Sequence, residues 1–203
     1  MIRLMLLVGF FFFSYAENFP NDISGDVPDS VKAKIAILHK AGDSYSSLRS
    51  KDRLRAGEML RIFVQPLNKS CIYVVHADEK EAALLYSNES PVLNEVLLLP
   101  SENDFYVFDD SSPEARIIII CSAKRYNEIE KLFEKKENIS RKDWDKFEKN
   151  TLNENKKSLN DKTDKPFPIA GNVSSINEEF LDQVQTFVGK NILIRKYDIE
   201  IKK

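Results

Sequence analysis

The chain has 203 residues, with 30 Lys and Arg against 32 Asp and Glu, a net charge of −2 with histidine neutral. That weakly acidic balance gives no electrostatic basis for binding nucleic acid, which rewards clustered positive charge. The length suffices for one well-buried core hiding about 70% of the unfolded surface, and six scattered glycines exclude a glycine-rich phosphate loop.

Met1-Ile2-Arg3 precedes an apolar run from Leu4 to Phe13, followed by Ser14-Tyr15-Ala16. A short positive start, an apolar core and small residues before a cut define a secretory signal over residues 1–16, cleaved between Ala16 and Glu17. The run is shorter than the roughly 20 residues needed to span a bilayer. No membrane span is expected in the mature form, whose charge becomes −3 with the loss of Arg3. The protein is therefore expected to be periplasmic or secreted.

Residues 17–30, with Asn21, Asp22, Gly25, Pro28 and Asp29, read as a flexible lead-in. From Val31 the pattern turns to period two, and Val31, Ala33, Ile35 and Ile37 mark a half-buried strand. A polar stretch, 42–52, separates it from a second strand, Met59 to Gln65, closed by Pro66. Ser70 to Ala77 is the third, rich in branched and aromatic residues. The polar loop Asp78 to Glu81 turns it into a fourth, Ala82 to Tyr86. Val96 to Leu99 is a short apolar piece, and Asp104 to Phe108 a fifth strand. Arg116 to Ala123, containing Ile-Ile-Ile-Ile-Cys, is the most hydrophobic strand and is expected at the centre of a sheet, buried on both faces.

The pattern then becomes helical. Ile129, Leu132 and Phe133 recur at helical spacing, as do Trp144 and Phe147 after a helix start at Ser140 with Asp143. Residues 148–165 carry almost no apolar side chains and predict a mobile insert, ended by Pro166-Phe167-Pro168. Ser175 with Glu178 forms a capping box ahead of Phe180, Leu181, Val184, Phe187 and Val188, which predicts a helix stopped at Gly189. Tyr197, Ile199 and Ile201 alternate with charged residues in a last strand. This strand is expected to pair with the first strand or with Arg116 to Ala123. The sum is a mainly β chain: residues 31–203 form one Ig-like antiparallel β-sandwich, with a helical insertion at 124–190 before the C-terminal strand.

The residues that carry chemistry are sparse. His39 and His76 are the only histidines, and no spacing resembles a zinc site. Cys71 and His76 are five apart on one strand, so their side chains diverge. Cys71 and Cys121 allow one disulfide in an oxidising compartment, or two separate buried thiols. Glu102, Asp104, Asp109 and Asp110 lack calcium-loop spacing and read as a solvated acidic loop. Asn68, Asn88, Asn138 and Asn172 each open an Asn-x-Ser triplet. No catalytic, metal-binding or cofactor-binding residue is assigned.

From Leu54 to Phe133 the chain resembles the bacterial domain-of-unknown-function family numbered 4384. The residues that carry the likeness are Leu54-Arg55-Ala56-Gly57-Glu58, Cys71 to Val75, Leu84 to Asn88, Leu99-Pro100, and Arg116 to Ser122 followed by Glu128 to Phe133. The family usually has Gly-Asp at Gly57-Glu58 and Tyr at Cys71. The resemblance implies an all-β sandwich, often joined to other extracytoplasmic modules, and no established reaction.

These features together predict an exported, non-catalytic module that docks onto another envelope or extracellular protein. A binder of a small ligand or glycan, using exposed aromatic residues near Tyr106, is the alternative. A hydrolytic enzyme with dispersed acids ranks last.

Overall fold

Alternation of buried and open positions in Val31–Ala41 makes the first strand, β1, the axis of one sheet. A computed structural model describes residues 30–152 and 184–202, apart from residues 43, 89, 110 and 111. The signal, its cut at Ala16–Glu17 and the capping box at Ser175 lie outside the described residues. The remaining strands are β2 (Ser44–Ser47), β3 (Arg53–Arg55), β4 (Met59–Pro66), β5 (Cys71–Ala77), β6 (Glu81–Ser87), β7 (Leu97–Leu99), β8 (Tyr106–Val107), β9 (Glu114–Ser122), β10 (Asn138–Ser140), β11 (Gln185–Gly189) and β12 (Ile192–Lys202). Two short helices, α1 (Asn127–Phe133) and α2 (Arg141–Phe147), precede a π-helical turn at Glu148–Leu152.

The strands form two sheets. The first runs β11–β1–β4–β7, with β2 sharing one edge of β1 and β8 sharing one edge of β4. The second runs β10–β6–β5–β9–β12–β3. Every pairing is antiparallel except β12 with β3, which is parallel. Ile35, Ile37, Leu60 and Ile62 from the first sheet meet Ile72, Ile117, Ile119 and Leu193 from the second in one buried core. This is the expected sandwich.

Strand β9 is central and buried on both faces, as its composition predicts. Ile117, Ile119 and Cys121 point into the inter-sheet core, while Ile118 and Ile120 point outward beneath Ile129, Phe133 and Trp144. A fully buried side chain of this size contributes about 1.5–3 kcal/mol. Five consecutive ones explain why β9 anchors its sheet. The last strand pairs with β9, from Ile192 opposite Ser122 to Glu200 opposite Glu114. Of its two expected partners, the central strand is the one it takes.

Two expectations need correction. The segment read as the end of a helix, Phe187 and Val188 to Gly189, is part of strand β11, which follows Val184 and pairs with Val31 to Ile35 of β1; Phe180 and Leu181 lie outside the described residues. Its spacing suits either element, and pairing along β1 outweighs the local pattern. Gly189 is therefore not a helix stop. A Cβ there would lie 2.2 Å from the Ile192 carbonyl oxygen, so the turn into β12 needs a glycine. The insertion at 124–190 thus contains strands β10 and β11 as well as helices.

Second, residue 148 does not begin a loose insert. Glu148 is 8% exposed and is paired with both Arg116 and Lys196 on the outer face of the second sheet. Two cations on that face need a carboxylate, which ties down the turn after α2; residues 153–165 lie outside the described residues.

Of the two arrangements open to the cysteines, the structure has separate thiols: Cys71 and Cys121 are both free and buried. Cys121 stands opposite Ile72, and Cys71 opposite Ser122. Neighbouring positions on a strand face opposite ways. Cys71 therefore packs under the helices while Cys121 packs between the sheets. No disulfide can cross the sheet between them.

Candidate functional site

At one end of the sandwich the two sheets part around β8. Tyr106 and Val107 pair with Leu60 and Met59 of β4. Just beyond, the Gly57 N–H donates to the Phe108 carbonyl at 2.7 Å, and the Phe108 N–H to the Glu58 carbonyl at 3.2 Å. Gly57 makes this turn at a φ of 88°, where a side chain would be strained. Alternation then sends Tyr106 and Phe108 inward and leaves Val107 63% exposed.

Across from them, His76 of β5, Leu85 of β6, Ile117 of β9 and Ile201 of β12 complete a cleft of about 260 Å³. Its floor is continuous with the core, since Ile117, Phe108 and Ile201 belong to both. Its rim is polar and carries Asp78, Asp109, Ser112 and Glu114. The aromatic residues near Tyr106 are less exposed than expected. Tyr106 is half-buried and Phe108 nearly buried, so they form a wall instead of a surface.

The electrostatics follow from this burial. His76 packs edge-on to Phe108, with ring centroids 6.1 Å apart. Burial holds its pKa below the ordinary 6.5, against the opposing pull of Asp78 and Glu81. The imidazole is therefore neutral at pH 7. Burial would raise Asp78, but the Glu81 and Lys80 N–H groups outweigh it and hold the carboxyl below its ordinary range. Those donors lie 2.8 and 2.6 Å from its Oδ1. Burial also raises Tyr106, which keeps its proton. The Ser112 hydroxyl donates to the Glu114 carbonyl at 2.9 Å, which leaves it poorly placed as a nucleophile.

The outer face of the first sheet carries a second feature. Tyr45, Lys40, Met59 and Val107 stand directly opposite one another across β2, β1, β4 and β8. Directly opposed residues share a face, so they form one row, with Tyr45 40% exposed at one end and Val107 at the other. Lys40 lies over the rings of Tyr45 and Phe105, and the Arg61 guanidinium lies 4.0 Å from the centre of the Phe105 ring. The corresponding face of the second sheet is covered by α1 and α2 around Trp144.

His39 has partners that sequence spacing does not reveal. Its Nε2 lies 2.8 Å from Glu58 Oε2 and its Nδ1 3.3 Å from Ser46 Oγ. A histidine between a carboxylate and a hydroxyl is how hydrolases activate serine. Here His39, 16% exposed on β1 between β2 and β4, and Ser46 are a cross-strand pair, and Glu58 also accepts the Arg55 N–H at 3.0 Å. None of the clefts described here opens on them, and the trio clamps β2 to the turn before β4.

Two further grooves are less selective. One of about 220 Å³ is lined by Lys51, Arg116, Arg141, Glu114, Asp198 and Glu200, whose charges balance. The other, of about 490 Å³, lies between α1 and β6, with Leu84 and Phe133 beside Glu130, Lys131 and Glu134.

Among the described residues no group of three or more His, Cys, Asp or Glu side chains is placed to hold a metal ion. The acidic loop is divided. Asp104 accepts the Ser101 hydroxyl at 2.7 Å, Asp109 stands on the cleft rim, and Asp110 lies outside the described residues. Asn68 and Asn88 bond to backbone, and Asn138 bonds to Glu81 at 2.9 Å. No helix among the described residues is long and apolar enough to cross a membrane.

Two sheets closed on one core, helices over one outer face and an open end thus define a mainly β sandwich with an inter-sheet cleft. No family model matches the chain, and no curated protein and no solved structure matches it. Of the residues quoted for the likeness over Leu54 to Phe133, Leu54 is buried in the core and Gly57 makes a turn, while Arg55, Ser87 and Glu128 are exposed.

Proposed function

We propose that the protein is an exported, non-catalytic interaction module that docks onto another envelope or extracellular protein. The row Tyr45–Lys40–Met59–Val107 carries this reading. It places the exposed side chains of Tyr45 and Val107 at the two ends of a row on the outer face of the first sheet, beside the buried cluster of Ala36, Leu38 and Phe63 on that same face. An exposed tyrosine and a methionine in the same row are residue types that interface centres favour. The apolar run from Leu4 to Phe13 ahead of Ala16 supports export, to the periplasm or beyond.

The test is capture of the partner from its native envelope by wild-type protein and by a Tyr45→Asp, Val107→Asp double variant. Both positions are exposed, so the fold should survive, and a melting curve checks this. Loss of one defined partner at least about tenfold supports the reading, and undiminished capture overturns it.

The second reading, a binder of a small ligand, is favoured by the cleft beneath Tyr106 and Phe108, a shaped apolar recess with a polar rim.

A further inference from the structure

We infer that the inter-sheet cleft is built for an organic cation on an apolar stem. The inference rests on the second reading above and names the ligand's chemistry. Three carboxylates, Asp78, Asp109 and Glu114, share the rim, Glu114 also bordering the neighbouring groove with Lys51, Arg116 and Arg141, and among the described residues no Lys or Arg lines the cleft itself. Arg141, which donates to the Asp78 carbonyl, is itself paired with Asp145 at 2.8 Å and lines the neighbouring groove.

The walls supply the rest. Tyr106 and Phe108 offer aromatic surface, and Leu85, Ile117 and Ile201 offer an apolar floor. An ammonium or guanidinium is drawn to ring faces and to carboxylates together, while an apolar stem gains by leaving water. A neutral ligand would use the floor and gain nothing from the rim. An anion would be repelled.

The same chain already holds one of its own cations in this way. The Arg61 guanidinium lies on the Phe105 ring, feels Glu102 and Asp104, and donates to the Asp104 carbonyl at 3.1 Å. Just along the chain, Tyr106, Phe108 and Asp109 all line the cleft, so rings and a carboxylate border the same recess there.

The ligand's cation could come from a free amine or from a basic side chain of a partner, and the test separates them. Amide shifts of the isotope-labelled protein are followed with n-hexylammonium, with n-hexanol, and with a pentapeptide carrying a single lysine in glycines. The ammonium should bind at least about tenfold more tightly than the alcohol, shifting residues 106–109 and 114–117. Strong salt should erase the difference. Asp109→Asn with Glu114→Gln, both at exposed positions, should remove the preference for the ammonium over the alcohol. Binding of the lysine peptide as tight as that of the ammonium identifies a side chain as the source, and much weaker binding identifies a free amine. Equal affinity for ammonium and alcohol overturns the inference and leaves the cleft as a binding site. Binding of neither probe at those residues overturns both the inference and the second reading.

Discussion

The Tyr73 hydroxyl accepts the Tyr126 backbone N–H at 2.7 Å, and so caps α1 from the sheet beneath it. Tyr126 stands at the N-cap position without a side-chain cap of its own. Tyr73 is fully buried, and burial pushes its phenol up to about 12. The helix that shields Ile118 and Ile120 is thus fastened by a residue from the strand next to them. Tyr73→Phe leaves that N–H without its acceptor and should cost about 1–2 kcal/mol. Urea denaturation measures it, and an unchanged midpoint would contradict the capping role.

Cys71 and Cys121 should remain thiols even after exposure to oxidant. Burial raises both, Cys121 to about 12, so neither is a ready thiolate. Alkylation after denaturation without reductant, read by mass spectrometry, should find two modified cysteines. Native protein should react slowly at both. A bridged species would show that the two strands can rearrange.

Stability should fall as the solution is acidified through the range of His76. Because the folded imidazole sits below 6.5, the unfolded chain takes up its proton first. The contribution is whole above about pH 6.5 and is lost as pH falls from there toward the folded value. Asp78 and Glu130, both held low, lose theirs only under more acidic conditions. Melting temperatures between pH 7.5 and 5.5 should decline, and His76→Gln should flatten the decline. An equal slope in that variant would assign the effect elsewhere.

Gly189→Ala should destabilise the fold by about 1–3 kcal/mol, because the new Cβ has backbone as its neighbour. The comparison is a Gly42→Ala variant, where nothing lies within 4 Å and the cost comes from its φ of 60° alone. A smaller loss at Gly189 than at Gly42 would mean that the turn into β12 relaxes.

How far the sequence could be read depends on how much each strand carries in its own residues. Ile117 to Cys121 and Tyr197 to Ile201 declare themselves because burial and alternation are strong there. Strands β2, β3 and β10 have three or four residues each and exist through a neighbour's backbone, which local composition does not record. Phe187 shows the opposite failure: a clear apolar pattern suited two elements, and only the partner strand decided between them. The cleft was legible in part. Tyr106 drew attention by its neighbours, but its meeting with His76 and Ile201 depends on sheet order.

Strand β12 lies between β9 and β3, and Arg53 reaches Glu200 at 2.6 Å across 147 positions of sequence. The Lys51 N–H likewise donates to the Asp198 carbonyl, and the Glu200 N–H to the Asp52 carbonyl. The segment around β3 therefore cannot join its sheet until β12 has arrived. Contacts this distant must meet the entropy of closing a long loop before they return any stability, which slows folding. A growing or threading chain would carry β9 as an apolar strand with one raw edge until the eleven residues of β12 emerge. That interval is when the molecule is most open to mispairing with its own kind. A chaperone able to mask β9 would act in that window.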